Sequence, residues 1–297
     1  MTAVTSIFIA LAGFVLTYLG VLVASLSRAS KAGEKLPVPT AFHLLIGFVT
    51  NFFDTLGIGS FATTTAVFKF RKMLPDQLYP GTLNVGHTLP AVFQAFIFIA
   101  VVDVDPKTLV LLIASAVIGA WFGAGIVAGF SRRTVQTGMG VALLVAASAM
   151  FMSQLKLFPV GGTALGLEGG RLVMGVVGNL ILGAMMTLGI GLFAPCMTLI
   201  SLLGMNPTAA FPIMMGSCAF LMPVASMRFI KKGAYSPKVA LGLAAGGLLG
   251  VPLAAFVVKS LPLTVLRWVV IVVVVYAAVL MLRSAAQEAG AAEPVAA

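Results

Sequence analysis

Charge is what this chain has least of. Of its 297 residues, 18 are Lys or Arg and 8 are Asp or Glu, so charged side chains make up 9%. A soluble domain carries about 25%. So few charges cannot solvate a globular surface, and a disordered chain would need more polarity still. A nucleic-acid binder that reads bases from a wet surface is excluded on the same ground. Cysteine is equally scarce: Cys196 and Cys218 form no CxxC or metal-ligand spacing, so neither a disulfide framework nor a metal cluster is implied. No nucleophile stands at credible spacing from a base. The Gly57-Ile58-Gly59 segment lacks the strand context of a phosphate loop, so no ATP-driven step, cofactor or enzyme chemistry is expected.

What is abundant is apolar. Hydrophobic residues make up 60% of the chain and the mean hydropathy is +1.13. This composition describes an all-α polytopic membrane protein. At about 20 residues per spanning helix, there is room for seven to nine spans and little else. The net charge of +10 then reports cytoplasmic loops rather than a polyanion partner.

The first apolar run, 7–26, has no basic n-region and no clean cleavage site. It reads as a retained helix. A loop carrying Arg28, Lys31, Glu34, Lys35, Pro37 and Pro39 follows. The chain then repeats itself. Gly47-x-x-x-Asn51 leads to Thr55-Leu56-Gly57-Ile58-Gly59, and Gly175-x-x-x-Asn179 leads to Thr187-Leu188-Gly189-Ile190-Gly191. Pro80-Gly81-Thr82 is matched to Met215-Gly216-Ser217, and Asp105-Pro106-Lys107 to Ser236-Pro237-Lys238. The expected organisation is an N-terminal helix and linker over 1–41, repeat 1 over 42–153, a loop over 154–170, repeat 2 over 171–283 and a mobile tail over 284–297. Each repeat holds four apolar segments: a (42–70 and 172–203), b (78–102 and 208–230), c (108–130 and 239–258) and d (135–152 and 263–282).

Segment a carries glycines in its middle, where an ordinary helix disfavours them. If it turns back on itself, the repeats have opposite topology. Arg28, Lys31, Lys35, Lys69, Arg71, Lys72, Arg132, Arg133, Arg228, Lys231, Lys232, Lys238 and Arg283 then share the cytoplasmic side. Lys107, Lys156, Arg171, Lys259 and Arg267 lie outside, a split of thirteen to five. A single crossing gives eleven to seven. The positive-inside rule prefers the hairpin. The expectation is therefore about seven spans plus two re-entrant hairpins, with nine spans as the alternative. The N-terminus lies outside and the C-terminus in the cytoplasm. In segment c, the stripes Gly119-x-x-x-Gly123, Gly125-x-x-x-Gly129 and Gly242-x-x-x-Gly246-x-x-x-Gly250 fit close helix packing, within one chain or in a homo-oligomer.

A hairpin that stops inside the membrane exposes backbone amides, tolerated only in protein or beside a wet cavity. The second arm of each begins with unpaired N–H groups at the positive end of a helix dipole. Two such ends near a pseudo-two-fold axis would form an anion site without a basic side chain. The bland alternative is that the glycines merely permit a kink. Candidate substrate-binding residues are Asn51, Thr55, Gly57, Gly59, Ser60, Asn179, Thr187, Gly189 and Gly191. Asn51 and Asn179 could equally hold the hairpins together, and Thr55 and Thr187 could bond to their own helices. Asp54 is the one acid deep in an apolar run. It is either a carboxylate accepting turn amides or a proton-coupling site without a counterpart in repeat 2. His87, near Asn84, Thr88 and Gln94, is either a hydrogen-bonded packing residue or a proton relay. The cysteines and Met214, Met215 and Met222 read as core or lining.

The repeated glycine turn, the Gly-Thr or Gly-Ser near the start of segment b and the glycine-spaced segment c resemble the sulfite exporter TauE/SafE family, also called the 4-toluene sulfonate uptake permease family. The resemblance spans about 43–282. The family turn is richer in glycine, of the kind G-I-G-G-G, where this chain has Gly57-Ile58-Gly59-Ser60 and Gly189-Ile190-Gly191-Leu192. The resemblance implies a bacterial inner-membrane permease for small sulfur-containing anions, with the functional turn at Gly57, Gly59, Gly189 and Gly191. The partners expected are a small anion, the bilayer and a coupling proton or ion. A passive anion channel and a membrane enzyme or assembly factor are the alternative functions.

Overall fold

Helix α1 (Ala3–Lys31) ends on Arg28 and Lys31, cations that complement the negative end of its dipole. The computed structural model describes residues 3–33, 35, 37–101, 103–157, 161–189, 191–257 and 263–292, so Glu34, Ile190, Lys259 and Glu293 lie outside the described residues. Repeat 1 supplies α2 (Ala41–Thr55), α3 (Ser60–Arg71), α4 (Tyr79–Val101), α5 (Pro106–Val127) and α6 (Arg132–Gln154). Repeat 2 supplies α7 (Gly169–Met186), α8 (Phe193–Leu202), α9 (Ala210–Lys231), α10 (Pro237–Pro252) and α11 (Leu263–Ala292). The described residues contain no strand beyond an isolated bridge between Ala164 and Met205. The protein is an all-α polytopic membrane protein. Among the described residues, eight helical stretches are long and apolar enough to span a bilayer.

Seven of the eight are the spans expected from the sequence, and the eighth is α7, the first arm of segment a in repeat 2. Contacts along the helices give its direction. Gly175 faces Leu203 and Gly178 faces Leu199, so α8 runs antiparallel to α7 and returns to the end where α7 began. In repeat 1, Asn51 meets His87 and Thr55 meets Gln94, so α2 runs parallel to α4. Thr64 meets His87 and Phe68 meets Tyr79, so α3 runs back. Both copies of segment a are helical hairpins.

The repeats are interleaved rather than side by side. Helix α2 packs on α10, and its counterpart α7 packs on α5. Likewise α4 packs on α10 and α9 on α5, while α4 with α9 and α6 with α11 pair across the centre. Exchanging the repeats maps each pair onto another, as a pseudo-two-fold arrangement requires. Glycines set the close pairs. Gly246 lies on the backbone of Leu44 and Phe48, and Gly119 on that of Leu180 and Ala184. Gly125 and Gly129 do not share this role: a methyl group at Gly125 would meet only the Arg228 guanidinium, at 4.0 Å. That stripe faces away from α7 at the C-terminal end of α5.

Two further expectations change. Residues 284–292 of the expected tail continue α11, 293–297 lie outside the described residues, and Ser284 accepts a hydrogen bond from Lys69 at 3.0 Å. The match of Gly81 to Gly216 is also out of register. Short 3-10 turns lead into both α4 and α9, and aligning their starts (Tyr79 on Ala210) sets Gly86-His87 on Ser217-Cys218. The Pro-capped starts of α5 and α10 match as expected. Asp105 caps α5, accepting from the Thr108 hydroxyl at 2.7 Å and its N–H at 2.8 Å. These bonds, with Lys107 nearby, hold its carboxyl below the usual range.

One end of the bundle is basic. Tyr18 bonds to Val85, Lys232 to the Gly125 carbonyl, and the Ser236 N–H to Thr82. These contacts gather the ends of α1, α5 and α9 with the starts of α4 and α10. Lys69 joins the same end through Asp76 and Ser284, so all thirteen residues of the larger group lie together. Single cysteines at positions 31 and 72, in a chain with Cys196 and Cys218 replaced by Ala, should therefore react with an impermeant reagent from the same side. Reaction from opposite sides would refute the hairpin.

Candidate functional site

The two hairpins enter from opposite ends, and their tips meet inside. In hairpin 1, α2 begins on a capping box between Thr40 and His43. The tip turns through Gly57 (φ 88°) and Gly59 (φ 89°), left-handed conformations that glycine alone adopts without strain. Asp54 sits at the end of α2 and accepts the Ser60 N–H at 2.8 Å, supplying the cap that Gly59 cannot. Gln94 of α4 donates to the other Asp54 oxygen and to Thr55, both at 3.0 Å.

His87 bridges the arms of this hairpin. Its Nδ1 lies 3.0 Å from Asn51 Oδ1 and its Nε2 3.1 Å from the Thr64 hydroxyl. Asn51 spends its amide on the Gly47 carbonyl and offers His87 only lone pairs. Nδ1 therefore carries the proton and Nε2 accepts from Thr64. This is the pattern of a hydrogen-bonded packing histidine. Asn179, the counterpart of Asn51, donates to Ser217 at 3.0 Å and to the Leu112 carbonyl at 2.7 Å, tying α7 to α9 and α5. Thr55 and Thr187 donate to carbonyls of their own helices.

Hairpin 2 differs at its tip. Gly189 turns at φ 114° against Met139 and Leu83, and α8 begins after Leu192 with no side-chain cap. Met186 stands where repeat 1 has Asp54, so repeat 2 has no counterpart of that carboxylate cap.

Two cavities adjoin at the tips, and both are lined by Gly59, Phe61 and Gly191. The smaller, about 50 Å³, adds Asp54, Ser60, His87 and Gln94 from repeat 1 and Met214, Met215, Cys218 and Met222 from repeat 2. The larger, about 240 Å³, extends along α6 to Ser153 and includes Gly57 and Arg267. Thus Gly57, Gly59, Ser60, Gly191, Asp54 and His87 come together on these walls. Asn51, Thr55, Asn179, Thr187 and Gly189 stand behind them.

Residues 171–296 match the family model described as Sulfite exporter TauE/SafE. This part of the chain is similar to that family. The family implies a membrane transporter of sulfur-containing anions. No curated protein and no solved structure matches the chain. The TauE/SafE match covers hairpin 2 and the helices after it. The same order of elements in residues 41–154 extends that architecture to repeat 1, which lies outside the match.

Three features of this protein were missed in the sequence. Gln94 carries Asp54, and the only hint was an amide in an apolar helix. Arg267 lines the larger cavity, although its position suggested an outer loop. Asp76, 5% exposed, anchors a polar cluster at the basic end with Lys69 (2.9 Å) and Gln136 (2.7 Å). Arg132 approaches Asp76 at 3.9 Å and pairs with Glu288 at 3.0 Å. Residues so far apart in the chain give no local signal.

Proposed function

We propose that this protein is a secondary transporter, a permease for a small sulfur-containing oxyanion such as sulfite or a sulfonate. It works by alternating access around the cavities between the two hairpin tips. The observation that carries this reading is that Gly59 and Gly191, one from each repeat, line the same space. An oxyanion there meets the N-terminus of α8, where backbone N–H groups and the helix dipole favour negative charge. Inverted repeats with broken helices at the centre are a recurring transporter plan.

Asp54 gives the site its coupling. A carboxylate and an anion within one low-dielectric cavity repel strongly. Anion occupancy therefore favours protonated Asp54, and anion and proton bind together. The Asn51–His87–Thr64 chain holds the hairpin arms in register while this happens. At the basic end, the cluster around Asp76 ties α3, α6 and α11 together and closes that side. The larger cavity reaches the opposite end. By the positive-inside rule the closed, basic end faces the cytoplasm of a bacterial inner membrane. The N-terminus then lies outside and the C-terminus inside.

Purified protein in liposomes should move sulfite or a short alkanesulfonate such as methanesulfonate down its gradient. Anion trapped on the far side should accelerate entry, which a passive channel would not show. Failure of every anion in a broad sulfur panel would refute the substrate class.

A further inference from the structure

At the basic end, Lys69 has Asp76 and Ser284 as partners, and Arg132 has Glu288. Arg228 lies over the Trp121 ring, 3.6 Å from its centre. Arg267 differs. It is partly buried in the first turns of α11 and makes no ion pair, hydrogen bond or ring contact with any described residue. Among the described residues it is the only charged one lining the larger cavity, whose other walls are chiefly apolar. That cavity ends at Gly59 and Gly191, where the hairpin tips meet.

A guanidinium that borders an apolar cavity loses part of its hydration and gains nothing from the protein in return. Its five N–H donors match the oxygens of a tetrahedral or pyramidal oxyanion in bidentate geometry. The field of a lone cation is also concentrated by low-dielectric walls, which raises the local concentration of anions.

We propose that Arg267 forms an outer capture site for the oxyanion, which holds the substrate before it passes to the hairpin tips. This rests on the transport reading above and deepens it. A sulfite or sulfonate group first pairs with Arg267 at the mouth beside Ser153. It then moves along the α6 wall to the amides at the start of α8. Arg267 is thus a substrate-binding residue for entry, and the tip amides receive the anion afterwards.

The test uses the full chain in liposomes, with sulfite and methanesulfonate as probes and Arg267→Gln and Arg267→Lys as variants. Arg267 lies at the cavity mouth and has no partner among the described residues, so both variants should fold. Arg267→Gln should raise KM about tenfold, the worth of one charge-assisted contact, with the maximal rate nearly unchanged. Arg267→Lys should recover part of the loss. Added inert salt should raise KM in the parent chain and much less in Arg267→Gln, because only the parent attracts the anion through an unscreened charge. Unchanged KM and salt response in Arg267→Gln, beside a transporting parent, would overturn this proposal alone. If the parent neither transports nor binds either probe, the transport reading falls and Arg267 falls with it.

Discussion

Replacing Gly246 or Gly119 by Val is expected to leave no folded protein. A Cβ at Gly246 would overlap the Leu44 carbonyl oxygen, and one at Gly119 the Leu180 carbonyl oxygen. Both obstacles are backbone, so no rotamer change relieves them. The helices would have to separate, and with them α2 from α10 or α7 from α5, the contacts that interlock the repeats. In a bilayer, lipid tails are as apolar as the helices, so close approach is the main source of adhesion and cannot be replaced by looser burial. The cost should exceed about 4 kcal/mol, the range of severe overpacking. Gly13→Ala is the matched control, because a Cβ there meets nothing within 4 Å. Yield of monodisperse protein and its thermal midpoint read the difference. A Gly119→Val variant as stable as the parent would overturn the packing account.

Asp54→Asn is expected to abolish accumulation driven by a pH gradient while downhill exchange continues. Asn retains an oxygen that can accept the Ser60 N–H, so the tip of hairpin 1 keeps its cap. It cannot take up or release a proton. If one proton travels with each anion, one pH unit is worth about 1.4 kcal/mol, or about tenfold in accumulation. The variant should lose that factor. Asp54→Ala should lose both the cap and the coupling, and exchange should slow as well. Sulfite accumulation in liposomes with and without an imposed pH step separates these outcomes. Full pH-driven accumulation by Asp54→Asn would remove Asp54 from the coupling.

The re-entrant hairpins were legible because two independent sequence signals agreed. Glycines interrupt segment a, and the basic residues sort to one side only if that segment turns back. Gly57 and Gly59 then adopt the left-handed conformation that their position implied. The match of Gly81 to Gly216 failed for an equally physical reason. In glycine-rich helices several registers look alike, and the leading 3-10 turns shift the start of α4 and α9. The residue types at the site were easier to find than their roles. Asn51 and Asn179 were read as a pair, but only their partners show that the Asn51 oxygen meets His87 of α4 and that the Asn179 amide ties α7 to α5 and α9.

Composition, periodicity and charge placement by themselves determined the membrane class, the two repeats, the broken helices and the basic end. Each of these follows from the cost of placing one residue in lipid or in a helix, which is a local quantity. Tertiary structure alone decided the interleaving of α2 with α10 and α7 with α5. It also set Gln94 against Asp54, joined α3, α6 and α11 around Asp76 and turned Arg267 toward the cavity. These depend on which helix faces meet across tens to hundreds of residues. Close packing chooses those faces, and no short-range pattern encodes the choice.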